Sequence, residues 1–219
     1  MKISIVGITG RMGQEVLKIL RSDEILGGMT SKTTANEFEN LIKNSSVVID
    51  FSVPQVSLKA AEYCAKYRIP LVCGTTGFSD DDFERLKSCS DYTPILYASN
   101  FSIGIFLMSQ LIQMSEKVLD DFDISIIDRH HNKKRDNPSG TTLFLTSQLK
   151  KVPQIVSLRV GGVAGDHICS FTGDDEELTI SHRSFNRRVF ASGAVKCAFW
   201  LVSQEKGFYS LKDFMDAKR

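Results

Sequence analysis

The sequence predicts an α/β protein in which a Rossmann-like parallel sheet domain is followed by a second α+β domain with a mixed or antiparallel sheet. Three observations carry this. Short, β-rich apolar runs alternate with helical patterns over the first hundred residues, and a glycine-rich turn joins the first run to the first helical pattern. After Asn100 the alternation gives way to one long amphipathic segment and then a series of strands. At 219 residues, with 42% hydrophobic and 24% charged side chains, the chain is long enough for two cores and is ordinary globular material rather than disorder.

Taken in order, the runs are Ile3-Ser4-Ile5-Val6, Ile25-Leu26, Val47-Val48-Ile49, Leu71-Val72-Cys73 and Ile95-Leu96-Tyr97-Ala98. Near-continuous apolar runs of this length suit strands buried on both faces of a parallel sheet. Between them, Met12, Val16, Leu17, Ile19 and Leu20 share a helical face, as do Val56, Ala60, Ala61 and Cys64, and then Phe83 and Leu86. Pro54 and Ser79-Asp80-Asp81-Asp82 are helix-start chemistry ahead of the second and third. Beyond Asn100 a helix is expected from about Ile103 to Leu119. Phe122, Ile124 and Ile126 alternate as a strand, a polar block runs from Arg129 to Asn137, and Thr141 to Lys150 reads as helix. Ile155–Val160, His167–Thr172 and Leu178–Arg183 read as strands, and Val189–Phe199 as a helix returning to the first domain. The expected segments are therefore 1–102, 103–188 and 189–219.

Twenty-seven basic against 26 acidic side chains leave a net charge of +1, which argues against a protein held to nucleic acid or membrane by bulk charge. The most apolar stretch, Ile103 to Met114, is interrupted by Ser109, Gln110 and Gln113 and falls short of the roughly 18 residues that a span requires. The N-terminus is a β-like run entering glycines, not a signal segment. Five scattered cysteines without a C-x-x-C pair are expected to be reduced, mostly buried thiols of a cytoplasmic protein, with neither a disulfide framework nor a metal site.

The glycine turn is Gly7-Ile8-Thr9-Gly10-Arg11-Met12-Gly13. Glycine at 7, 10 and 13 lets the backbone turn tightly and admits a pyrophosphate close to the main chain, at the start of a helix. The spacing G-x-x-G-x-x-G departs from G-x-G-x-x-G, so its weight comes from its position after an apolar strand. About 20 residues on, where a carboxylate usually meets a free ribose 2′-OH, stands Gly28-Met29-Thr30-Ser31-Lys32 without an acidic group. Thr30, Ser31 and Lys32 favour a 2′-phosphate, hence NADPH over NADH, with a solvated loop lysine as the competing reading. Gly74-Thr75-Thr76-Gly77 and Ala98-Ser99-Asn100-Phe101-Ser102 follow the fourth and fifth strands, at the sheet edge where open parallel sheets bind ligands.

Asp128-Arg129-His130-His131-Asn132-Lys133-Lys134-Arg135-Asp136 packs four permanent cations and two imidazoles just ahead of Asn137-Pro138-Ser139-Gly140-Thr141, a helix start. Cations and imidazoles beside free backbone N–H groups suit a small dianion, most simply a dicarboxylate, and His and Lys can donate a proton near neutral pH. A solvated charged turn is the bland alternative. A nucleic-acid patch is disfavoured because no aromatic residue is interleaved from 129 to 142 to stack on bases.

With these motifs in place, the chain resembles the 4-hydroxy-tetrahydrodipicolinate reductase (dihydrodipicolinate reductase) family of diaminopimelate and lysine biosynthesis along nearly its whole length. The match rests on the Gly7–Gly13 turn, on Gly74-Thr75-Thr76-Gly77, on Ala98-Ser99-Asn100-Phe101-Ser102, and most specifically on His130-His131 with Lys134, Asp136 and Pro138-Ser139-Gly140-Thr141. The resemblance implies reduction of 4-hydroxy-tetrahydrodipicolinate by NAD(P)H with loss of water. It implies a dinucleotide-binding domain over 1–102, a substrate-binding and oligomerisation domain over 103–188, and a homotetramer. Gly7, Ile8, Thr9, Gly10, Arg11, Met12, Gly74, Thr75, Thr76, Ala98, Ser99, Asn100 and Phe101 are implied to contact the dinucleotide, with Ser31 and Lys32 near its ribose. The resemblance makes His130 and Lys134 the acid/base candidates and implies that His131, Gly140 and Thr141 hold substrate carboxylate. The chain departs from the family in being short after the second strand and in carrying Asp128 where Glu is common.

The residues by themselves leave two other readings open. One is a non-enzymatic dinucleotide sensor with a basic docking loop. The other is an aldehyde or semialdehyde dehydrogenase, which usually needs a reactive cysteine.

Overall fold

The computed structural model describes residues 1–217; residues 218 and 219, the end of the expected C-terminal segment, lie outside the described residues. In chain order the elements are β1 (Ile3–Val6), α1 (Arg11–Leu17), β2 (Ile25–Met29), α2 (Ala35–Lys43), β3 (Val47–Asp50), α3 (Pro54–Tyr67), β4 (Leu71–Cys73), α4 (Asp80–Ser88) and β5 (Pro94–Tyr97). They continue as α5 (Ile103–Val118), β6 (Asp123–His130), α6 (Gly140–Thr146), β7 (Gln154–Arg159), β8 (Gly165–Thr172), β9 (Glu177–Ser184), α7 (Arg188–Leu201), β10 (Gly207–Tyr209) and α8 (Leu211–Asp216). Two compact units result: Met1–Phe101 with the chain from Arg188 onward, and Ser102–Arg187.

The first unit is a six-stranded sheet in the order β10-β5-β4-β3-β1-β2 with every pair parallel. β1, β3 and β4 are buried along their whole lengths, which is why their sequences carry no hydrophobic–polar alternation. The helices start where local chemistry supplies a cap. Thr34 and Glu37 form a capping box on α2, Pro54 opens α3, and Ser79 accepts from the Asp82 N–H at α4. Helix α2 and strand β10 were not foreseen. The first lies in the segment read as shortened, and the second is a three-residue strand added beside β5.

The second unit is a mixed sheet in the order β7-β6-β8-β9, with β6 and β7 parallel and the other pairs antiparallel. Ile105, Met108 and Ile112 of α5 and Leu145 of α6 cover one face of it, against Ile124, Ile126, Cys169 and Phe171. Two expectations are corrected here. Strand β6 runs on through His130, so the polar block begins on the strand. The helix expected to reach Lys150 stops at Thr146, because the Glu116 carboxylate accepts the N–H groups of Lys150 (2.8 Å) and Lys151 (2.8 Å) and draws the chain out of the helical path.

Candidate active site

Because all strands of the first sheet are parallel, the loops after β1, β2, β3, β4 and β5 share one edge. The turn after β1 is closed by the N–H groups of Gly7 and Ile8, both donating to the Met29 carbonyl (3.2 Å each), while the Phe51 N–H donates to the Val6 carbonyl (3.1 Å). Gly7 has φ +79°, and a Cβ there would stand 2.6 Å from the Phe51 carbonyl oxygen. Only glycine satisfies both constraints. Gly10 caps α1 with a bare backbone and no side-chain hydrogen bond. Gly74 and Ala98 join the same edge through N–H bonds to the carbonyls of Asp50 (2.8 Å) and Cys73 (3.2 Å).

Beside the turn lies a cavity of about 550 Å³ walled by Gly7, Thr9, Gly10, Met29, Thr30, Ser31 and Thr33 on one side and by Phe51, Ser52, Val53, Gln55, Val56 and Lys59 on the other. A pyrophosphate-bearing dinucleotide fits this cradle, whose floor a side chain at Gly7 would fill. The wall carries no carboxylate and one cation, Lys59. Ser31 is part of the wall. Lys32 is not: it sits on the adjacent turn, its N–H donating to Thr30 Oγ1 (3.1 Å).

Two of the expected dinucleotide contacts turn their side chains inward. Phe101 is buried, edge-on to Phe51 at 5.8 Å. Thr75 Oγ1 donates to Asp50 Oδ2 (2.9 Å) and accepts the Ser52 N–H (3.0 Å), tying the loops after β3 and β4 together. Asp50 was missed by sequence reasoning, although a carboxylate closing an otherwise apolar strand is a visible signal. It is fully buried, and burial pushes its carboxyl up against the hydrogen bonds from Ser52, Ser57 and Thr75. Cys73, the cysteine nearest a candidate loop, is buried too. Burial, then the Asp50 charge, pushes its thiol up, which removes it as a nucleophile.

In the second unit the alternation of β6 decides the site. Ile124, Ile126, Asp128 and His130 all lie on its buried phase. Register then builds a polar row across the whole sheet, because Ser157 pairs with Asp128, Asp128 with His167, and His167 with His182. Two helix-capping serines sit on this row. Ser139 Oγ lies 3.3 Å from His167 Nε2 and Ser102 Oγ 3.3 Å from His182 Nε2. Asp128 Oδ2 accepts from the Ser139 N–H (2.7 Å), Ser157 Oγ (3.2 Å) and Arg159 Nη2 (3.3 Å). Its Oδ1 lies 2.5 Å from His130 Nδ1, an ion-pair contact whose angle is outside good hydrogen-bond geometry. Arg129, on the opposite face, reaches Asp166 (3.6 Å) and leaves the site.

Burial pushes the Asp128 carboxyl up, but His130, the Ser139 N–H and Arg159 outweigh it and hold the group well below the usual carboxylate range. His167 is driven down to about 4, first by burial and then by neighbouring His130, with Asp128 opposing. Asp128, His130 and His167 are the group of metal-ligand type among the described residues. Two atoms bound to one zinc ion sit roughly 3.3 Å apart, whereas Asp128 and His130 touch at 2.5 Å and Arg159 already supplies the counter-charge. The trio therefore reads as a proton-bearing cluster.

The basic loop is tied to that cluster. Lys134 Nζ pairs with Asp136 Oδ2 (2.8 Å), and Arg159 donates to the Asp136 carbonyl (2.6 Å) as well as to Asp128. Gly140 and Thr141 open α6 directly after Ser139, and His131 follows His130. His130, His131, Lys134, Gly140 and Thr141 thus belong to one end of the second unit, and the expected dinucleotide residues to one edge of the first. His167 and His182 were missed, since only strand register brings them to the site.

Family models described as dihydrodipicolinate reductase match the chain at residues 1–101 (N-terminus) and 104–215 (C-terminus). Proteins named 4-hydroxy-tetrahydrodipicolinate reductase from Rickettsia bellii and Thermosipho africanus are each 37% identical to it, covering 97% and 98% of this chain and 93% and 98% of theirs. A dipicolinate-bound dihydrodipicolinate reductase from a Paenisporosarcina species has the same fold, with a TM-score of 0.81 at 23% identity over 96% of this chain and 97% of that one.

Proposed function

The chain belongs to the dihydrodipicolinate reductase family, and we propose that His130 and Lys134 carry the proton chemistry of its reaction while His131, Gly140 and Thr141 hold a substrate carboxylate. The protein is an NAD(P)H-dependent oxidoreductase that reduces 4-hydroxy-tetrahydrodipicolinate, a small dicarboxylate, in the diaminopimelate and lysine pathway. The observation that carries the assignment is the contact chain from Lys134 through Asp136, Arg159 and Asp128 to His130, which fixes an ammonium and an imidazole at one end of one sheet.

The dinucleotide, held by Gly7 to Met12, Gly74 to Thr76 and Ala98 to Phe101, supplies the hydride when bound. The chain's own residues do the rest. Lys134 Nζ donates a proton where negative charge develops on the substrate, with Asp136 steering the ammonium. His130 assists as the second proton-bearing group. NADPH is the preferred cofactor in this reading. In the cavity wall Ser31 and Thr30 offer hydroxyls, Lys59 offers a cation and no carboxylate opposes a 2′-phosphate, and Lys32 adds a second cation on the adjacent turn.

The segments 1–102, 103–188 and 189–219 take the roles of dinucleotide domain, substrate and oligomerisation domain, and returning helices. A homotetramer is supported by the exposed apolar side chains Val156, Leu158, Leu178 and Phe185 of the second unit. The five scattered cysteines, four of them buried, favour the cytoplasm, and no described helix is long and apolar enough to cross a membrane.

The test is Lys134→Ala, assayed with NADPH and with NADH. It lowers kcat by roughly two to four powers of ten with dinucleotide binding unchanged, and the parent binds NADPH more tightly. Near-normal turnover removes Lys134 from the mechanism, and tighter NADH binding reverses the cofactor assignment.

A further inference from the structure

We infer that Asp128 is a positioning residue that fixes the tautomer of His130, holding its proton on Nδ1 and leaving Nε2 as the nitrogen that gives and takes protons. This rests on the role proposed above for His130, and it adds a residue and an atom to it.

The geometry is one-sided. Oδ2 of Asp128 is saturated by three donors, Ser139, Ser157 and Arg159, so only Oδ1 is left for the imidazole. Nδ1 of His130 is buried and in contact with that oxygen at 2.5 Å, while His167 Nε2 stands farther from the same oxygen, at 3.9 Å. A carboxylate is acceptor-only. At that distance a lone pair on Nδ1 is repelled by the carboxylate oxygen, whereas an N–H is attracted to it even off the ideal hydrogen-bond line, which places the proton on Nδ1. The carboxylate stays ionised because Arg159 and a backbone N–H stabilise the anion. His167 packs edge-on to the ring at 5.2 Å and 72°, which holds its plane.

On the other side of the ring, Nε2 faces Gly165, where a Cβ would stand 3.1 Å away; the missing side chain keeps the approach to Nε2 open. When the imidazolium gives up its Nε2 proton, the N–H bond breaks and the electron pair stays on Nε2. The ring is left as the Nδ1–H form that Asp128 already holds, so no ring flip or proton exchange is needed between turnovers.

The test is Asp128→Asn. Because the three partners of Oδ2 donate, the Asn carbonyl takes that side and its NH₂ group meets Nδ1, which drives the ring proton of neutral His130 to Nε2. Long-range ¹H–¹⁵N spectra of imidazole-labelled protein above pH 8 should show Nδ1–H for His130 in the parent and Nε2–H in the variant. In the same variant kcat falls roughly a hundredfold or more, while the KM for the dicarboxylate and the affinity for NADPH stay within about threefold, unlike a folding defect, which lowers all together. Asp128→Glu, which keeps the carboxylate, retains the Nδ1–H signal and kcat within about tenfold. An Nε2–H signal in the parent overturns the inference even if the Asn variant fails to fold, as does an Asn variant with parental kcat. His130→Gln with unchanged kcat instead removes the proposed role of His130 and leaves the tautomer result standing.

Discussion

Asp50 in the first unit and Asp128 in the second are both buried at 0% exposure near the carboxyl end of a strand, yet their carboxyls move in opposite directions. Burial pushes each of them up. Around Asp50 the opposing groups are neutral: the Ser52 and Thr75 hydroxyls at 2.5 and 2.9 Å, the Ser52 N–H at 3.0 Å, and the Ser57 hydroxyl. Desolvation wins and the carboxyl stays raised. Around Asp128 the opposing groups include a guanidinium and an imidazole as well as a backbone N–H, and the carboxyl is lowered. Hydrogen bonds to an ionised carboxylate contribute about 1.5–3 kcal/mol each in both sites; at Asp128 the attraction of the Arg159 guanidinium and His130 is added to them, and that addition reverses the sign. Asp50 ties the loops after β3 and β4 together and does not need its charge for that. Asp128 balances Arg159 and His130, and its charge is part of the site.

The comparison breaks first at Asp128. Asp128→Ala strands Arg159 and His130 without their anion inside the second unit, and a broken buried pair of this kind costs about 3–5 kcal/mol. Urea unfolding at pH 7 reads this directly, and a loss below about 1 kcal/mol would mean that water already screens the group. The sign of the pH dependence follows from the lowered carboxyl. Asp128 stabilises the folded chain above its unfolded value, near 3.9, and that contribution is lost as pH falls through the folded value.

His167 gives the next largest effect. An unfolded histidine titrates near 6.5, whereas burial and His130 drive His167 down to about 4. As pH falls from 6.5 the unfolded chain takes up a proton that the folded chain refuses. Stability therefore drains between pH 6.5 and about 4, by about 3 kcal/mol from this group. His182, also lowered by burial, works in the same direction. In His167→Gln the unfolding free energy should fall less steeply over that interval, by about 3 kcal/mol, and an unchanged slope would show that His167 is protonated in the folded chain.

The two units also differ in how far the sequence reveals them. The βα alternation of the first is legible because a parallel sheet covered on both faces writes itself as unbroken apolar runs, such as Val47-Val48-Ile49. The glycine turn is legible because backbone geometry at Gly7 admits nothing else. Helix α2 escaped since it buries only Phe38 and Ile42, although its Thr34–Glu37 capping box is written in the sequence. In the second unit His130 and Lys134 stand out by their density in the basic loop, but the groups that orient them do not. Asp128 could have been placed by continuing the Ile124–Ile126 alternation by one step. His167 and His182 could not, because antiparallel register across β6, β8 and β9 sets them beside Asp128 and no local period encodes it.

The smallest expected effect is at Asp50, and it sharpens the contrast most. In Asp50→Asn a carbonyl at the Oδ1 position still accepts both the Ser52 N–H and the Ser52 hydroxyl, and the new NH₂ group at the Oδ2 position meets the Thr75 hydroxyl, which is able to accept as well as donate. What is removed is a charge that the surroundings already disfavour. Stability at pH 7 should therefore change by no more than about 1 kcal/mol, in contrast to the loss at Asp128. The sign in acid is also opposite. A carboxyl raised by folding contributes its stability below its unfolded value and loses it as pH rises through the folded one. The parent therefore gains on the Asn variant as pH falls from 7 to 4, which urea unfolding at the two pH values would measure. A loss at pH 7 as large as that of Asp128→Ala would mean that Asp50 is an anchored anion with a cation partner, and the distinction between the two carboxylates would fail.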